Sequence, residues 1–181
     1  KDQGYGVTGV AKWHNDEPAG FPAVADFDLD GDPEIVVVSE GSVRLQDHLG
    51  NILWGPNVIA GDGRGGPPTI ADYDGDGYPE IGVANKGYYT VLETDGTELW
   101  SRETDDDSSG MTGSSVFDFN GDGAAEVVYA DERNLWVYRG SDGLVLLQEE
   151  NHTSKTQLEY PVITDIDGDG HAEIILGSND V

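Results

Sequence analysis

An acidic ten-residue motif occurs four times in this 181-residue chain, and its spacing constrains the fold more than any other feature. The copies begin at Asp26, Asp72, Asp118 and Asp165, which places them 46, 46 and 47 residues apart. Every copy has Gly at its sixth position and ends in Glu followed by Ile or Val. A repeat of constant length indicates one supersecondary unit per copy, with each unit packed on its neighbours.

Each period contains four short runs of strand-forming residues separated by turn signals. The first runs are Phe21–Ala25, Thr69–Ala71, Ser115–Phe117 and Pro161–Thr164. The second runs are Ile35–Val38, Ile81–Ala84, Val127–Ala130 and Ile174–Leu176. The third are Val43–Gln46, Tyr89–Glu93 and Leu135–Arg139, and the fourth are Ile52–Trp54, Glu98–Trp100 and Leu144–Leu147. Asp-Gly pairs at 95–96 and 142–143 are strong hairpin signals between the third and fourth runs.

Four antiparallel strands per period of this length are typical of a β-propeller blade. We therefore predict an all-β fold, with residues 1–181 forming a single β-propeller module of about four four-stranded antiparallel blades. The high glycine content, 26 residues, agrees with a fold rich in turns.

The two ends of the chain leave the size of the ring open. Val10–Trp13 resembles the fourth strand of a blade, so a strand at about residues 5–14 is predicted to complete the last blade and cover its edge. The chain fits a closed four-bladed ring, half of an eight-bladed ring made by a homodimer, or a fragment whose remaining blades lie elsewhere in a longer chain. Because it begins at Lys1 and not at Met, we expect it to be a piece of a longer protein.

The four acidic loops, at residues 26–34, 72–80, 118–126 and 165–173, have the ligand pattern of a calcium site. Positions 1, 3, 5 and 9 carry side-chain oxygen in every copy, and position 7 varies as expected for a ligand that uses its main-chain carbonyl. Oxygen donors without Cys or ring nitrogen favour Ca²⁺ over zinc or copper, and Mg²⁺ is disfavoured because it prefers water ligands and a strict octahedral geometry. We therefore predict four Ca²⁺ ions, held by Asp26, Asp28, Asp30, Asp32 and Glu34; Asp72, Asp74, Asp76, Tyr78 and Glu80; Asp118, Asn120, Asp122, Ala124 and Glu126; and Asp165, Asp167, Asp169, His171 and Glu173.

An EF-hand is the alternative calcium loop, and the sequence argues against it. An EF-hand needs a bidentate Glu at position 12 and flanking helices. Position 12 here is Val37, Val83, Tyr129 or Leu176, each within a strand-like run. The loops therefore connect two strands.

The motif Asp-x-Asp/Asn-x-Asp-Gly-x-x-Glu and the blade-length repeat resemble FG-GAP/VCBS repeats, the propeller blades of integrin alpha subunits and of many bacterial surface and secreted proteins. The resemblance covers nearly the whole chain. It implies a calcium-binding propeller that is extracellular or on the cell surface and acts as a binding or structural scaffold for a protein or carbohydrate ligand. The alternatives are a segment of a secreted polysaccharide lyase or other carbohydrate-active enzyme, and a structural segment of an adhesin.

Charge and composition exclude several classes of partner. Nine Lys and Arg residues against 36 Asp and Glu residues give a formal net charge of −27, which disfavours nucleic acid and anionic membrane surfaces. No apolar run is long enough to enter a bilayer, so we expect no membrane insertion. The chain has no Cys, which excludes disulfides and thiolate metal sites.

No catalytic constellation is visible, so we predict that the chain is not an enzyme by itself. A ligand would bind on the propeller face opposite the calcium loops, where the longest connections lie. Trp13, Trp54 and Trp100 share one strand position and are predicted to pack between blades, and Asp105–Asp107 is expected to be a solvated loop. The first residues to test on the ligand face are Arg64, Tyr88, Arg102, Arg133 and His152.

Overall fold

The structure is a computed structural model that describes residues 16–107, 110–150 and 160–177. These ranges contain fourteen β-strands and no helix. The strands are β1 (Phe21–Ala25), β2 (Glu34–Ser39), β3 (Ser42–Gln46), β4 (Ile52–Val58), β5 (Thr69–Ala71), β6 (Glu80–Asn85), β7 (Tyr88–Leu92), β8 (Glu98–Glu103), β9 (Ser114–Phe117), β10 (Glu126–Ala130), β11 (Asn134–Tyr138), β12 (Val145–Glu150), β13 (Val162–Thr164) and β14 (Glu173–Ile175).

Consecutive strands pair antiparallel into blades. Blade 1 contains β1–β4, blade 2 contains β5–β8 and blade 3 contains β9–β12, each in sequential order. The predicted all-β fold of four-stranded antiparallel units is thereby confirmed.

The described residues of the fourth unit form the two-stranded sheet β13–β14, in agreement with a sequence in which the last repeat contains only the first and second runs. Inner strands contact one another in the order β1, β5, β9 and β13, so the described strands form an open arc. Closure into a ring stays a prediction. The strand predicted at about residues 5–14 lies outside the described residues.

Two apolar clusters fill the seams between blades. Between blades 1 and 2, Val36 and Val43 pack with Ile81 and Val83 and their neighbours. Between blades 2 and 3 the cluster is aromatic: Tyr89 stacks on Trp100 and contacts Tyr129 and Tyr138. Each such buried side chain contributes roughly 1.5–3 kcal/mol from burial.

The tryptophans of the fourth strands also fasten one blade to the next by hydrogen bonds. Trp54 Nε1 donates to the main-chain oxygen of Thr94 at 2.8 Å. Trp100 Nε1 donates to the main-chain oxygen of Gly140. Both acceptors lie in the turn between the third and fourth strands of the following blade. The predicted packing role of these two residues is confirmed, and Trp13 lies outside the described residues.

A second set of polar residues, at the ends of the second strands, anchors the long connections between blades. Ser39 Oγ donates to the Ala19 oxygen at 2.9 Å. Asn85 donates from Nδ2 to the Ala60 oxygen at 2.8 Å and accepts at Oδ1 from the Gly65 N–H at 3.2 Å. Asp131 accepts from the Asp105 N–H at 2.8 Å. These three residues occupy the same repeat position, so each connection is held by the blade that follows it.

We expect Asn85→Ala to lower the free energy of unfolding by about 2–3 kcal/mol, because Asn85 is fully buried and its loss leaves buried main-chain groups unpaired. Asn51→Ala is the matched control: its side-chain bond to Asp47 is exposed, and the expected loss is below about 1 kcal/mol. Urea denaturation of both variants measures the difference. Equal losses would contradict the anchoring role of Asn85.

Candidate metal centres

The acidic loops connect the first and second strands of each blade, and we number them loop 1 (26–34), loop 2 (72–80), loop 3 (118–126) and loop 4 (165–173). In each loop the first Asp accepts main-chain N–H groups from within the loop. In loop 2, Asp72 Oδ1 accepts from Gly75 at 2.7 Å and Oδ2 from Gly77 at 2.9 Å. The glycine at position 6 has φ between 90° and 96° in all four loops, a conformation that other residues rarely adopt.

The side chains at positions 3 and 5 accept further main-chain bonds along the loop. In loop 2, Asp74 accepts from the Asp76 N–H at 3.0 Å, and Asp76 accepts from the Tyr78 N–H at 2.8 Å. The same pair of bonds occurs in the other loops. These bonds hold each loop in a series of tight turns.

Three loops bring carboxylates from positions 1, 3 and 9 together, with one oxygen of each residue within 4.8 Å of the others. The grouped residues are Asp26, Asp28 and Glu34; Asp72, Asp74 and Glu80; and Asp165, Asp167 and Glu173. The position-5 carboxylates, Asp30, Asp76 and Asp169, lie outside these groups. The ligand roles predicted for them, and for the carbonyls of Asp32, Tyr78, Ala124 and His171, stay predictions.

The glutamate at position 9 has a second role that the sequence did not reveal. In all four loops one of its carboxylate oxygens accepts the N–H of position 2. The distances are 2.9 Å for Glu34 with Phe27, 2.6 Å for Glu80 with Tyr73, 2.9 Å for Glu126 with Phe119 and 2.9 Å for Glu173 with Ile166. This bond closes the loop across its base and leaves one carboxylate oxygen for a ligand.

In loop 2 that remaining oxygen is buried and has no hydrogen-bond partner. Glu80 is fully buried, and its Oε1 is one of the few buried side-chain atoms without a partner in the described chain. Burial raises the pKa of Glu80 to about 7, and the nearby charges of Asp74, Asp72 and Asp76 add to this effect. Burial likewise raises the pKa of Glu34. A cation among these oxygens would reverse both unfavourable effects.

Loop 3 is assembled differently. Asn120 takes the place of an aspartate, and its Nδ2 donates to Asp122 Oδ2 at 2.9 Å and to Glu126 Oε1 at 3.3 Å. An amide donor therefore lies where the other loops gather carboxylate oxygens. The predicted set Asp118, Asn120, Asp122, Ala124 and Glu126 is folded as a loop, and its role as a set of calcium ligands stays a prediction.

The residues predicted to bind a ligand belong to the face opposite the loops. Those that the structure describes do not come together in one site. Arg64 is exposed and lines a cavity of about 380 Å³ with Phe21 and Glu40. Its side chain makes no hydrogen bond or ion pair with the residues that the structure describes.

Other members of that predicted set are already engaged. Arg102 donates to the main-chain oxygens of Asp142 and Gly143 in the next blade. Arg133 lies 4.0 Å from Asp105, and Tyr88 donates weakly to Glu103 at 3.4 Å. His152 lies outside the described residues.

The expectation that Asp105–Asp107 is a solvated loop is wrong for its central residue. Asp106 is only 1% exposed, accepts from the Tyr129 hydroxyl at 3.0 Å and accepts from the Gly110 N–H at 3.3 Å. Burial and the Asp106 charge hold the pKa of Tyr129 well above its usual range. Asp106 is therefore a structural anchor of the connection between blades 2 and 3.

Comparison with known proteins supports the interpretation of the repeats. A family model described as FG-GAP-like repeat matches residues 26–83 and 118–176, which together exceed half of the chain. The chain therefore belongs to the FG-GAP-like repeat family, as its sequence predicts. Comparison with curated proteins gives no match.

Solved structures share the fold at low identity. The V. cholerae biofilm matrix protein Bap1 aligns with a TM-score of 0.52 and 24% identity, over 86% of this chain and 26% of that one. A Bacillus licheniformis rhamnogalacturonan lyase gives 0.57 and 21%, over 88% and 40%. An Agrocybe aegerita lectin that recognises non-reducing terminal N-acetylglucosamine gives 0.51 and 19%, over 85% and 45%. The chain thus spans less than half of each of these proteins, and at these identities the likeness shows the fold alone.

The part of the chain that the structure describes contains no helix with the length and apolar character needed to cross a bilayer.

We expect Glu80→Gln to stabilise the protein in chelator at pH 8 by about 1–2 kcal/mol, or 3–6 °C in melting temperature. The folded pKa of about 7 lies above the ordinary value of 4.5, so in metal-free protein the contribution of Glu80 to stability falls as the pH rises through this window. Gln is neutral and can still accept the Tyr73 N–H. The gain should shrink at pH 5, and the exposed control Glu98→Gln should show no such pH dependence. A gain that is the same at both pH values would contradict this account.

Proposed function

We propose that the chain is a calcium-stabilised propeller module that acts as a binding or structural scaffold outside the cell. The observation that carries this proposal is the buried, unpartnered Oε1 of Glu80, a residue whose carboxylate brings one oxygen within 4.8 Å of carboxylate oxygens of Asp72 and Asp74. Three carboxylates at this separation repel one another strongly in a poorly solvated site. A divalent cation would satisfy the orphaned oxygen and offset the repulsion.

The chemistry of the donors supports calcium. All grouped side chains are carboxylates, hard ligands that suit Ca²⁺, and the loops provide no Cys or grouped His. Asp26, Asp28 and Glu34 would hold one ion, and Asp72, Asp74 and Glu80 a second. Asp165, Asp167 and Glu173 would hold a third. The positive charge of the ion would offset the repulsion between the carboxylates in the connection from the first strand to the second. The turn of the chain brings these ligands together.

The scaffold role is supported by the repeat family and by the absence of any catalytic arrangement in the sequence. An extracellular location is supported by the abundance of calcium outside cells and by the matrix-protein neighbour. Because the chain spans less than half of its neighbours, it also fits a segment of a carbohydrate-active enzyme or of an adhesin. A homodimer or further blades of a longer chain remain our proposal for how the ring is completed.

We expect calcium to raise the melting temperature and chelator to lower it. At ten times the dissociation constant each ion contributes about 1.4 kcal/mol, so three comparable sites contribute about 4 kcal/mol. Differential scanning calorimetry in calcium, magnesium and chelator measures this effect, with magnesium expected to rescue less. A melting temperature that does not change when chelator is added would contradict the proposed stabilisation by calcium.

Two alanine substitutions test the loops separately. Asp72 and Asp118 each accept two glycine N–H groups in their loops, and Asp118 also accepts the Asp122 N–H at 3.2 Å, so Asp118→Ala loses no fewer hydrogen bonds than Asp72→Ala. Only Asp72 belongs to a carboxylate cluster. In saturating calcium, Asp72→Ala should therefore cost about 1–2 kcal/mol more than Asp118→Ala, and the difference should vanish in chelator. A difference that persists in chelator would be structural and would contradict this reasoning.

A second candidate function is recognition of a polar ligand such as a sugar on the face opposite the loops. The observation that favours it is the cavity beside Arg64, which combines a guanidinium, the Glu40 carboxylate and the Phe21 ring. Charged planar groups beside an aromatic ring suit hydroxyl-rich ligands, and the lectin neighbour makes sugars a reasonable first choice.

We expect weak binding of N-acetylglucosamine, rhamnose or galacturonic acid in saturation-transfer NMR, reduced at least about fivefold in Arg64→Ala because its unpaired guanidinium would provide hydrogen bonds of about 1 kcal/mol or more. Arg139→Ala is the control, since Arg139 is paired with Asp142 in a turn on the other face. Signals that are equal in the two variants, or absent for all three sugars, would contradict this second candidate.

A further inference from the structure

Loops 2 and 3 touch each other through a single main-chain hydrogen bond between blades. The Ala125 N–H, at position 8 of loop 3, donates to the Asp72 carbonyl of loop 2 at 2.8 Å. Close packing surrounds this bond: a Cβ added to Gly140 would lie 2.2 Å from both the Tyr73 and the Ala125 oxygens. The first ligand residue of loop 2 is therefore fixed by blade 3 as well as by its own blade.

No other described pair of loops has this bond. Position 8 is Pro33 in loop 1 and Pro79 in loop 2, and proline has no N–H to donate. Position 8 of loop 4 is Ala172, whose N–H makes no hydrogen bond to any residue within the described ranges. Loop 2 is thus supported from the following blade in a way that loop 1 is not.

Loop 3 also differs from the other loops because a side-chain amide makes hydrogen bonds across it. Asn120 Oδ1 accepts the Asp122 N–H at 2.8 Å, so its Nδ2 must face the carboxylates of Asp122 and Glu126. Turning the amide over would place the NH₂ group against the Asp122 N–H and the oxygen against two carboxylates. An aspartate at this position can accept the N–H with one oxygen and offer a second anionic oxygen to a cation. The asparagine has one neutral oxygen, which already accepts the N–H, and it turns an NH₂ group toward the two carboxylates.

We propose that loop 3 is closed by the Asn120 amide in place of an ion, and that through Ala125 it positions Asp72 for calcium binding in loop 2. This inference rests on the calcium function proposed above. Because the hydrogen bonds of Asn120 would hold loop 3 in place, part of the conformational entropy that loop 2 loses on binding calcium is already lost, and a preorganised site binds more tightly. Loop 2 is then the tightest of three sites, and Ala125 is a positioning residue for it.

The number of ions bound tests the first half of the proposal. Equilibrium dialysis with ⁴⁵Ca²⁺ should give three equivalents for the natural chain and four for Asn120→Asp, which restores the carboxylate found in the other loops. In chelator, Asn120→Asp should melt at a lower temperature than the natural chain, since it exchanges two hydrogen bonds for repulsion. Four equivalents in the natural chain, unchanged in Asn120→Asp, would overturn the amide closure and leave the calcium function standing. No calcium in either protein would overturn both.

A calcium titration tests the second half, with loop 2 identified as the phase that disappears in Glu80→Gln. Ala125→Pro removes the N–H and introduces the residue that loops 1 and 2 carry at this position. It should weaken the loop 2 phase about tenfold and leave the other two phases unchanged. Ala172→Pro, which removes an N–H without a described partner, should leave all phases unchanged.

Because the proline ring could disturb the seam and prevent folding, Gly140→Ala provides an independent variant. Its added Cβ pushes the Tyr73 and Ala125 carbonyls apart without removing a donor, and it should weaken the same phase selectively. Uniform weakening of all three phases, or none, in the folded variants would overturn the positioning role of Ala125.

Discussion

One hydrogen bond, repeated in every described unit, underlies the rest of this structure: the bond from the N–H at position 2 of each acidic loop to the glutamate that opens or precedes the second strand. It fixes where the first strand ends and the second begins. It also draws a carboxylate into the base of the loop, among other carboxylates, and in loops 1 and 2 burial disfavours the charge of that carboxylate. The carboxylate clusters of loops 1, 2 and 4, and the contact of the Asn120 amide with Glu126 in loop 3, both depend on that placement.

The sequence predicts the strands and loops well because both depend on short-range patterns. Val36 and Val38 alternate toward a seam, and glycine at position 6 marks a turn that other residues resist. The failures concern contacts between distant positions. Asp106 is buried because Tyr129, 23 residues away, brings its hydroxyl to that point. Arg102 is engaged because blade 3 places the carbonyls of residues 142 and 143 beside it, 40 and 41 residues away. No local sequence pattern predicts either contact.

The asparagine of loop 3 shows the limit of motif matching in another way. By residue type, Asn120 satisfies an oxygen-ligand pattern as well as an aspartate does. Its amide has one acceptor and one donor end, however, and the neighbouring Asp122 N–H decides which end faces the carboxylates. Similarly, Ser39, Asn85 and Asp131 share no residue type, and only their common repeat position, seen beside the connections they hold, reveals a common role.

The tryptophan bonds between blades have a consequence for how such a chain can change over generations. Trp54 and Trp100 reach main-chain carbonyls, and the residues that present those carbonyls are as different as Thr94 and Gly140. The hydrogen bond itself therefore depends on the path of the backbone, although the side chain at the acceptor position must still fit the space around it, as Gly140 shows. A duplicated blade inserted between two others would keep this hydrogen bond on both sides, while the apolar side chains of its seams would still have to match those of its new neighbours. Gene segments of this length can thus be copied, lost or exchanged as whole units, and the outward loops remain free to diverge.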